Sequence, residues 1–204
     1  MRKFGLVVAA AICWPLGAHA ADVTVNSALA QPLYSPVPAH NWGGLYVGGS
    51  LGYVSGSVTG PVAPPTGLSG TDIDVHAGYD FQSGNWVYGP FIAVPFPTAS
   101  STVAVPVKID WAVVGGARLG YAIDHWLPYA LAAGVVGGGT ATGLGSATHT
   151  GYSLGVGLEY GFDNNWSIGV RYAYVSMDGQ RYSGIGPFGW HGNSVVGTLN
   201  YKFH

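Results

Sequence analysis

Three stretches of the chain, "GYDFQSGNW" (78–86), "GYAIDHW" (120–126) and "EYGFDNNW" (159–166), follow one pattern. Each has a tyrosine, an apolar residue two positions later, a short polar turn and then a tryptophan. The tryptophans recur every 40 residues, and "NYKF" (200–203) supplies a fourth copy of the tyrosine end. A period of this length could indicate a propeller blade or a helical repeat. Here each period contains two strand-like segments, so the repeating unit is a β-hairpin.

The segments around these hairpins predict the number of strands and their arrangement. The connections alternate between short polar turns and longer loops rich in Gly, Ser, Thr and Pro, which is typical of an antiparallel transmembrane β-barrel. We therefore predict an all-β, eight-stranded, up-and-down transmembrane barrel. The predicted strands are 44–55, 70–81, 86–96, 106–123, 128–138, 150–162, 166–177 and 193–203.

The faces of the predicted strands distinguish a membrane barrel from a soluble sandwich or lipocalin-like barrel. Along each strand, apolar residues alternate with residues that are polar or small. In one predicted strand, for example, Ile73 and Val75 lie on one face, and Asp72 and Asp74 lie on the other. A soluble sandwich gives no reason for aromatic rings at every hairpin end, whereas a membrane barrel uses them as interfacial anchors. The predicted anchors are Trp42, Trp86, Trp126, Trp166, Tyr79, Tyr121, Tyr160 and Tyr201.

Composition excludes several classes of protein. Only 8% of the 204 residues are charged and the net charge is −2, without a basic block, so nucleic-acid binding has no electrostatic basis. Mean hydropathy is +0.28, yet beyond the N-terminus no apolar run reaches the roughly 18 residues that a membrane helix needs.

The first 41 residues precede the barrel pattern. Residues 1–20 have a basic start, an apolar stretch and the small-x-small ending of a secretory signal peptide. The lone Cys13 could instead indicate a lipoprotein, but Ile12 does not fit that cleavage site. Loss of the leader removes the single thiol and excludes cysteine chemistry. We predict a Pro-containing linker at 21–41 and the barrel at 42–204.

The first strand and the last residues resemble one known family. "NWGGLYVGGSLGY" (41–53) and "LNYKF" (199–203) are similar to the alphaproteobacterial outer-membrane immunogenic proteins, a porin family of small barrels of the OmpA type. The resemblance covers roughly residues 42–203. It implies an abundant surface antigen that helps to maintain the envelope, and some relatives are reported to bind haem. His204 departs from the family, whose members usually end at the phenylalanine.

Inward-facing charges are the first candidates for a functional site. In a narrow lumen they must be paired, either as a polar plug or as the lining of a small ion path. The plug is the favoured interpretation, although inward glycines leave room for water. The predicted lumen charges are Asp72, Asp74, Lys108, Asp110, Arg118, Glu159, Arg171 and Lys202.

Catalysis and ligand binding have weaker support. His149, Ser153 and Glu159 share one face of a strand, but the first two stand about 13 Å apart along it, too far for a catalytic hydrogen bond. We therefore predict no enzyme and no catalytic residue. The histidines show no metal-ligand spacing, and His40 lies in the linker, so no metal and no cofactor are predicted. Weak haem candidates are His191, Tyr182 and Trp190 in the last long loop.

Two local features lie in the third predicted strand and at the C-terminus. Pro90 and Pro95 interrupt the third segment, where we expect a bulge or a shorter strand. Tyr201 and Phe203 resemble the C-terminal signal by which outer-membrane barrels are recognised for insertion. His204 should be a periplasmic end residue that is dispensable for assembly.

These observations predict an integral outer-membrane surface protein of a Gram-negative bacterium, exported after cleavage near Ala20. The expected role is envelope integrity with antigenic or adhesive display; the alternatives are a narrow channel for ions or small solutes, or ligand binding by the extracellular loops. The expected partners are outer-membrane lipid and lipopolysaccharide, the barrel-assembly machinery, and possible host or cell-wall components.

Overall fold

The structure, a computed structural model, describes residues 40–59, 66–97, 100–101, 107–141, 145–181 and 187–203. The predicted signal peptide (1–20), linker residues 21–39, Tyr182 and His204 lie outside these ranges. Eight long strands are present: β1 Gly44–Thr59, β2 Thr66–Ser83, β3 Trp86–Pro97, β4 Val107–Tyr121, β5 Trp126–Ala141, β6 Gly145–Gly161, β7 Trp166–Arg181 and β8 Pro187–Phe203. Within the described ranges, no helix is long and apolar enough to cross a bilayer.

The strands form one closed antiparallel barrel. Each long strand pairs with its neighbours in the chain, and β1 pairs with both β2 and β8, so Leu45 lies opposite Tyr79 on one side and Phe203 on the other. A two-residue segment, Ser100–Ser101, adds a short pairing to Leu68 and Ser69 of β2. The prediction of an eight-stranded up-and-down barrel is confirmed. Closure gives each of the eight long strands a paired neighbour on both sides.

The two ends of the barrel differ. One end, called the turn end below, carries the start of β1, the end of β8 and the short connections 84–85, 122–125 and 162–165. Gly84, Asp124 and Asn165 adopt positive φ of 59°, 54° and 69°, the left-handed conformation that glycine, aspartate and asparagine tolerate best. At the opposite, loop end, most strands run several residues farther than predicted. Sequence places the strands but underestimates their length there.

Of the two outcomes expected for the proline-containing strand β3, a bulge or a shorter strand, the structure has the shorter strand. β3 has 12 residues, the fewest of the eight long strands, and Pro90 pairs in register with Ala117. Pairing to β4 ends at Ala93, two residues before Pro95, which has no N–H to donate. The register shifts lie elsewhere, at Ile109/Trp111 and at Met177/Gln180.

The barrel has an apolar exterior and a polar interior. Large apolar side chains face outward, with Leu51 62% and Val170 59% exposed, while Asp80, Glu159 and Lys202 are almost fully buried. This arrangement is the reverse of a water-soluble protein. It follows from strand alternation in a sheet whose outer face meets lipid.

Candidate functional site

Four charged side chains and one tyrosine fill the lumen near the turn end. We call Tyr46, Asp80, Arg118, Glu159 and Lys202 the turn-end cluster. Arg118 donates two hydrogen bonds to the carboxylate of Asp80, from Nε at 2.9 Å and from an Nη at 2.5 Å, and a third at 2.7 Å to Glu159. Lys202 Nζ donates to the same Asp80 carboxylate at 2.6 Å. One acidic side chain therefore accepts from two cations.

This cluster joins alternate strands across the lumen. Asp80 lies on β2, Arg118 on β4, Glu159 on β6 and Lys202 on β8. Two carboxylates balance two cations, which is what buried charges require. The centroid of the Tyr46 ring lies 4.3 Å from the Arg118 guanidinium carbon and 5.0 Å from Lys202 Nζ, so the ring also attracts both cations. The cluster forms a cross-lumen tie of paired charges.

A short segment before β1 closes the barrel mouth below this cluster. We call His40–Gly43 the cap segment. Trp42 is fully buried against Val87, Ala122 and Leu127. The backbone carbonyl of Trp42 accepts a hydrogen bond from Lys202 Nζ at 2.7 Å, and the backbone N–H of Trp42 donates to the side-chain oxygen of Gln82 at 2.6 Å. The prediction that Trp42 is an interface anchor is therefore wrong, because its indole lies inside the barrel mouth and does not face lipid.

A second polar group lies higher in the lumen. We call Ser50, Asp74, His76, Arg171 and Asn200 the mid-barrel cluster. Arg171 donates to Asp74 at 2.5 Å and to Ser50 at 3.2 Å, and Ser50 also donates to Asp74. His76 Nδ1 lies 2.7 Å from the Asp74 carboxylate, and its Nε2 lies 2.6 Å from Asn200 Oδ1. The Asp74 carboxylate thus contacts Arg171, His76 and Ser50.

The two clusters are connected, and little space remains between them. Ser167 donates to Glu159 at 3.4 Å and accepts from Asn200 at 3.4 Å. The cavity beside Arg118, Glu159 and Arg171 has a volume of about 20 Å³, room for about one water molecule. The described lumen is therefore filled at this level.

Inward glycines contribute to this filling. A Cβ on Gly157 would lie 2.3 Å from Cζ of Tyr129, and one on Gly78 would lie 2.5 Å from the Tyr46 hydroxyl. Each glycine accommodates a large side chain from a neighbouring strand. Sequence alone suggested that these glycines leave room for water; in the structure the tyrosines occupy that space.

The structure places most of the predicted lumen charges inside the barrel. Arg118, Glu159, Lys202, Asp74 and Arg171 belong to the two clusters, and Asp72 accepts a hydrogen bond from Ser194. The backbones of Lys108 and Asp110 lie in β4, but their side chains are outside the described part of the structure.

Asp80, the residue that accepts from two cations, was missed from sequence. It stands in "GYDFQSGNW", where the neighbouring polar residues suggest a turn. Its position one residue after Tyr79 puts it on the inward face, and that parity was the available signal. Tyr46 and Tyr129 were also missed, because tyrosines elsewhere in the chain mark the outer girdle.

The other predicted anchors form an outward ring near the turn end. Trp86, Trp126 and Trp166 are 41–52% exposed, and each packs edge-on against a tyrosine of a neighbouring strand at 4.9–5.2 Å between ring centroids. Their partners are Tyr121, Tyr160 and Tyr201 respectively, and Tyr79 contacts Phe81 at 4.9 Å. Phe203 lies edge-on to Tyr201 at 5.0 Å. Anchoring and insertion roles for these rings remain predictions.

The two haem candidates within the described ranges, His191 and Trp190, are not brought together on one face. His191 is exposed, and Trp190, its neighbour in β8, belongs to the opposite face of the strand because faces alternate. Because their side chains lie on opposite faces of the sheet, these two adjacent residues cannot both bind the same flat ligand. Of the residues considered for catalysis, Ser153 is buried, while His149 lies toward the loop end with Nδ1 3.3 Å from the carbonyl of Asp178.

A histidine cluster at the turn end was also missed from sequence. His40, His125 and Asp163 each offer one ligand atom, and these atoms lie within 4.8 Å of one another. The hydrogen bond to Asp124, and to a smaller extent that to Asp163, raises the pKa of His125 above its ordinary value. Spacing along the chain gave no hint of this cluster, because its members come from the cap segment and from two separate connections between strands.

Comparisons with known proteins agree with this architecture. Residues 17–203 match the outer membrane protein beta-barrel domain. The chain is 29% identical to a 31 kDa outer-membrane immunogenic protein of Brucella melitensis, over 98% of this chain and all of that relative. It is 31% identical to a 22 kDa outer membrane protein of Rhizobium leguminosarum, over 81% of this chain and 80% of that one. The crystal structure of Neisserial surface protein A shares the fold, with a TM-score of 0.52 and 14% identity over 78% of this chain and 97% of that one.

Proposed function

We propose that this chain, which belongs to the family of outer membrane protein β-barrel domains, is a sealed structural barrel of the outer membrane. Its task is to stabilise the envelope and to display loops at the surface, without carrying solutes or catalysing a reaction. The observation that carries this proposal is the turn-end cluster, which ties four alternate strands across the lumen through the bonds of Asp80 to Arg118 and Lys202 and of Arg118 to Glu159.

The energetics favour a seal over a pore. An eight-stranded barrel is only wide enough for its own side chains. Asp80, Arg118, Glu159 and Lys202 have side-chain exposures of 0–6%. Opening a water path would require separating these pairs in a poorly hydrated interior, where a buried charge without its partner costs about 3–5 kcal/mol. The cap segment covers the same mouth with Trp42.

The surface role rests on the relatives and on the outer face. The Brucella relative is named as immunogenic, which supports a protein that meets the outside of the cell. Outward apolar residues and aromatic rings near the turn end match the lipid and its interface. In such barrels the short turns face the periplasm and the longer loops face outward. Envelope support and display need no further chemistry.

Conductance in planar lipid bilayers tests the seal. The wild-type protein should show no steady conductance. The double variant Arg118→Ser, Glu159→Ser removes one cation and one anion together, so that Asp80 keeps Lys202 as its partner; it should conduct measurably. Asp178→Ser, at an exposed side chain of β7 toward the loop end, is the control and should remain closed.

Steady stepwise openings of the wild-type barrel would overturn the seal. If those openings disappeared when Arg118 or Glu159 was changed, the narrow-channel alternative would replace it. The envelope role has its own test: cells lacking the protein should become more sensitive to detergent, and the wild-type gene should restore resistance. Unchanged sensitivity would refute that part.

A further inference from the structure

Three connections that are distant in sequence meet below the barrel mouth. His40 comes from the cap segment, His125 from the connection between β4 and β5, and Asp163 from the connection between β6 and β7. Their ligand atoms lie within 4.8 Å of one another. Two imidazoles and one carboxylate are a ligand set that proteins use for divalent transition metals.

The ring of His125 is oriented as a metal ligand would be. It stacks on Tyr160, with 5.8 Å between centroids and 25° between planes. Its Nδ1 lies 3.0 Å from the carboxylate of Asp124, and its Nε2 lies 3.1 Å from Asp163. A carboxylate behind a histidine commonly fixes the ring of a metal ligand. Asp124 achieves this position at a φ of 54°, which few non-glycine residues adopt.

The ring of His40 is held in place from two sides and fits over a glycine. It lies edge-on to Trp42 at 4.9 Å and tilted against His125 at 5.2 Å. A Cβ on Gly161 would lie 2.5 Å from His40 Nε2, and the next nearest atoms belong to the same ring. Glycine at 161 therefore leaves the space that this imidazole occupies.

We propose that His40, His125 and Asp163 bind one divalent transition metal ion of the zinc class. Zinc lies about 2.0–2.2 Å from nitrogen and oxygen ligands, so the three atoms must approach one another more closely. Asp163 Oδ1 already lies 3.1 Å from His125 Nε2, and the Asp163 side chain is 95% exposed, so it can follow the two imidazoles as they close on the ion. The mixture of imidazole and carboxylate favours zinc, cobalt, nickel or copper over magnesium or calcium, which prefer oxygen ligands.

The ion ties the cap segment to two turns of the barrel. His40 stands two residues before Trp42, whose carbonyl accepts from Lys202 of the turn-end cluster. The metal site is thus continuous with the structure that closes the mouth. It does not depend on the sealed-lumen proposal, because a conducting barrel could bind the ion equally well.

Calorimetric titration with zinc chloride tests the site. The full chain without an affinity tag, folded in detergent, should bind one zinc ion per barrel. His40→Ala, His125→Ala and Asp163→Ala should each weaken binding at least tenfold. His191→Ala removes an exposed histidine of β8 and is the matched control, with unchanged affinity expected. Heat-modifiable migration on gels verifies that each variant is folded.

Two further variants separate a built site from scattered surface histidines. Gly161→Ala keeps all three ligands but displaces the His40 ring, so it should also weaken zinc binding. Asp124→Asn should lower affinity about 10–100-fold, the usual effect of losing a carboxylate behind a metal-bound histidine. Absence of saturable zinc binding by the wild-type protein would overturn the site, and so would binding that survives His40→Ala or His125→Ala unchanged.

Discussion

The turn-end and mid-barrel clusters lie in the same lumen but close it to different degrees. In the turn-end cluster, Arg118 bonds to two carboxylates and Asp80 accepts from two cations. In the mid-barrel cluster, Arg171 is 15% exposed in its side chain and, among the described residues, makes one ion pair, with Asp74. Much of the remaining bonding there comes from the uncharged groups Ser50 and Asn200.

This contrast indicates that the strand register of the barrel is held most firmly at the turn end. Four charges on alternate strands can be satisfied only if the strands close in one register, so the turn-end cluster depends on barrel closure. The mid-barrel cluster tolerates more exposure because its acid is supported by hydrogen bonds as well as by its arginine. We expect perturbations at the turn end to cost more stability than equivalent ones in the middle.

The largest effect should come from neutralising the shared acid. Asp80→Asn leaves Arg118 and Lys202 buried with one carboxylate fewer, so it should reduce the free energy of unfolding by about 3–5 kcal/mol. Asp74→Asn in the mid-barrel cluster should cost less, since Arg171 is partly exposed. Urea unfolding in lipid vesicles, followed by tryptophan fluorescence, measures both. Equal losses would remove the distinction between the clusters.

Removing the capping indole should have the next largest effect. Trp42→Ala leaves a cavity against Val87 and Leu127, and a buried tryptophan truncated in this way typically costs about 3–5 kcal/mol. Trp126→Ala, at a residue 48% exposed on the outer face, is the control and should cost clearly less. The same unfolding assay compares them. A larger loss for Trp126→Ala would mean that the cap contributes little to stability.

Replacing each of the two arginines by lysine should show a further difference in stability between the clusters. Arg118→Lys cannot reproduce bonds to two carboxylates, and each lost charge-assisted bond is worth about 1.5–3 kcal/mol. Arg171→Lys should cost less, because a single Nη of Arg171 reaches both Asp74 and Ser50. Similar losses would indicate that the fork geometry of Arg118 is unimportant.

The smallest effect tests the fit of glycine against tyrosine. Gly157→Ala places a methyl group against Tyr129, and such overpacking typically costs about 1–3 kcal/mol, here near the lower limit. Gly197→Ala is the control, because its Cβ would meet its nearest atom at an ordinary 3.8 Å. Equal stability of the two variants would show that Tyr129 moves aside without cost.

Much of the fold was predictable because a strand that faces lipid on one side alternates apolar and polar residues with a period of two, which is visible in the sequence. The hairpin repeat located all eight strands, and the aromatic ends identified the turn end. Strand ends at the loop end were harder to predict, since pairing continues beyond the apolar belt through Gly, Ser and Thr residues that also form loops. The two register shifts had no visible signal in the sequence.

The candidate site was only partly predictable. Parity along each strand identified Arg118, Glu159 and Lys202 as inward residues but could not identify their partners. Trp42 was misassigned because an anchor and a plug are the same residue type, and only the path of the chain before β1 separates them. The cluster of His40, His125 and Asp163 gave no sequence signal, because no two of its members share a strand or a turn.

Local patterns in the sequence are therefore enough to predict an eight-stranded membrane barrel with an apolar belt and a charged interior, since alternation is a local property of each strand. The folded barrel was needed to show that Asp80 pairs with both Arg118 and Lys202, that Trp42 closes the mouth, and that three turn-end residues converge. Those contacts join strands and connections far apart in sequence. They exist only after the barrel has closed in register, which no local pattern records.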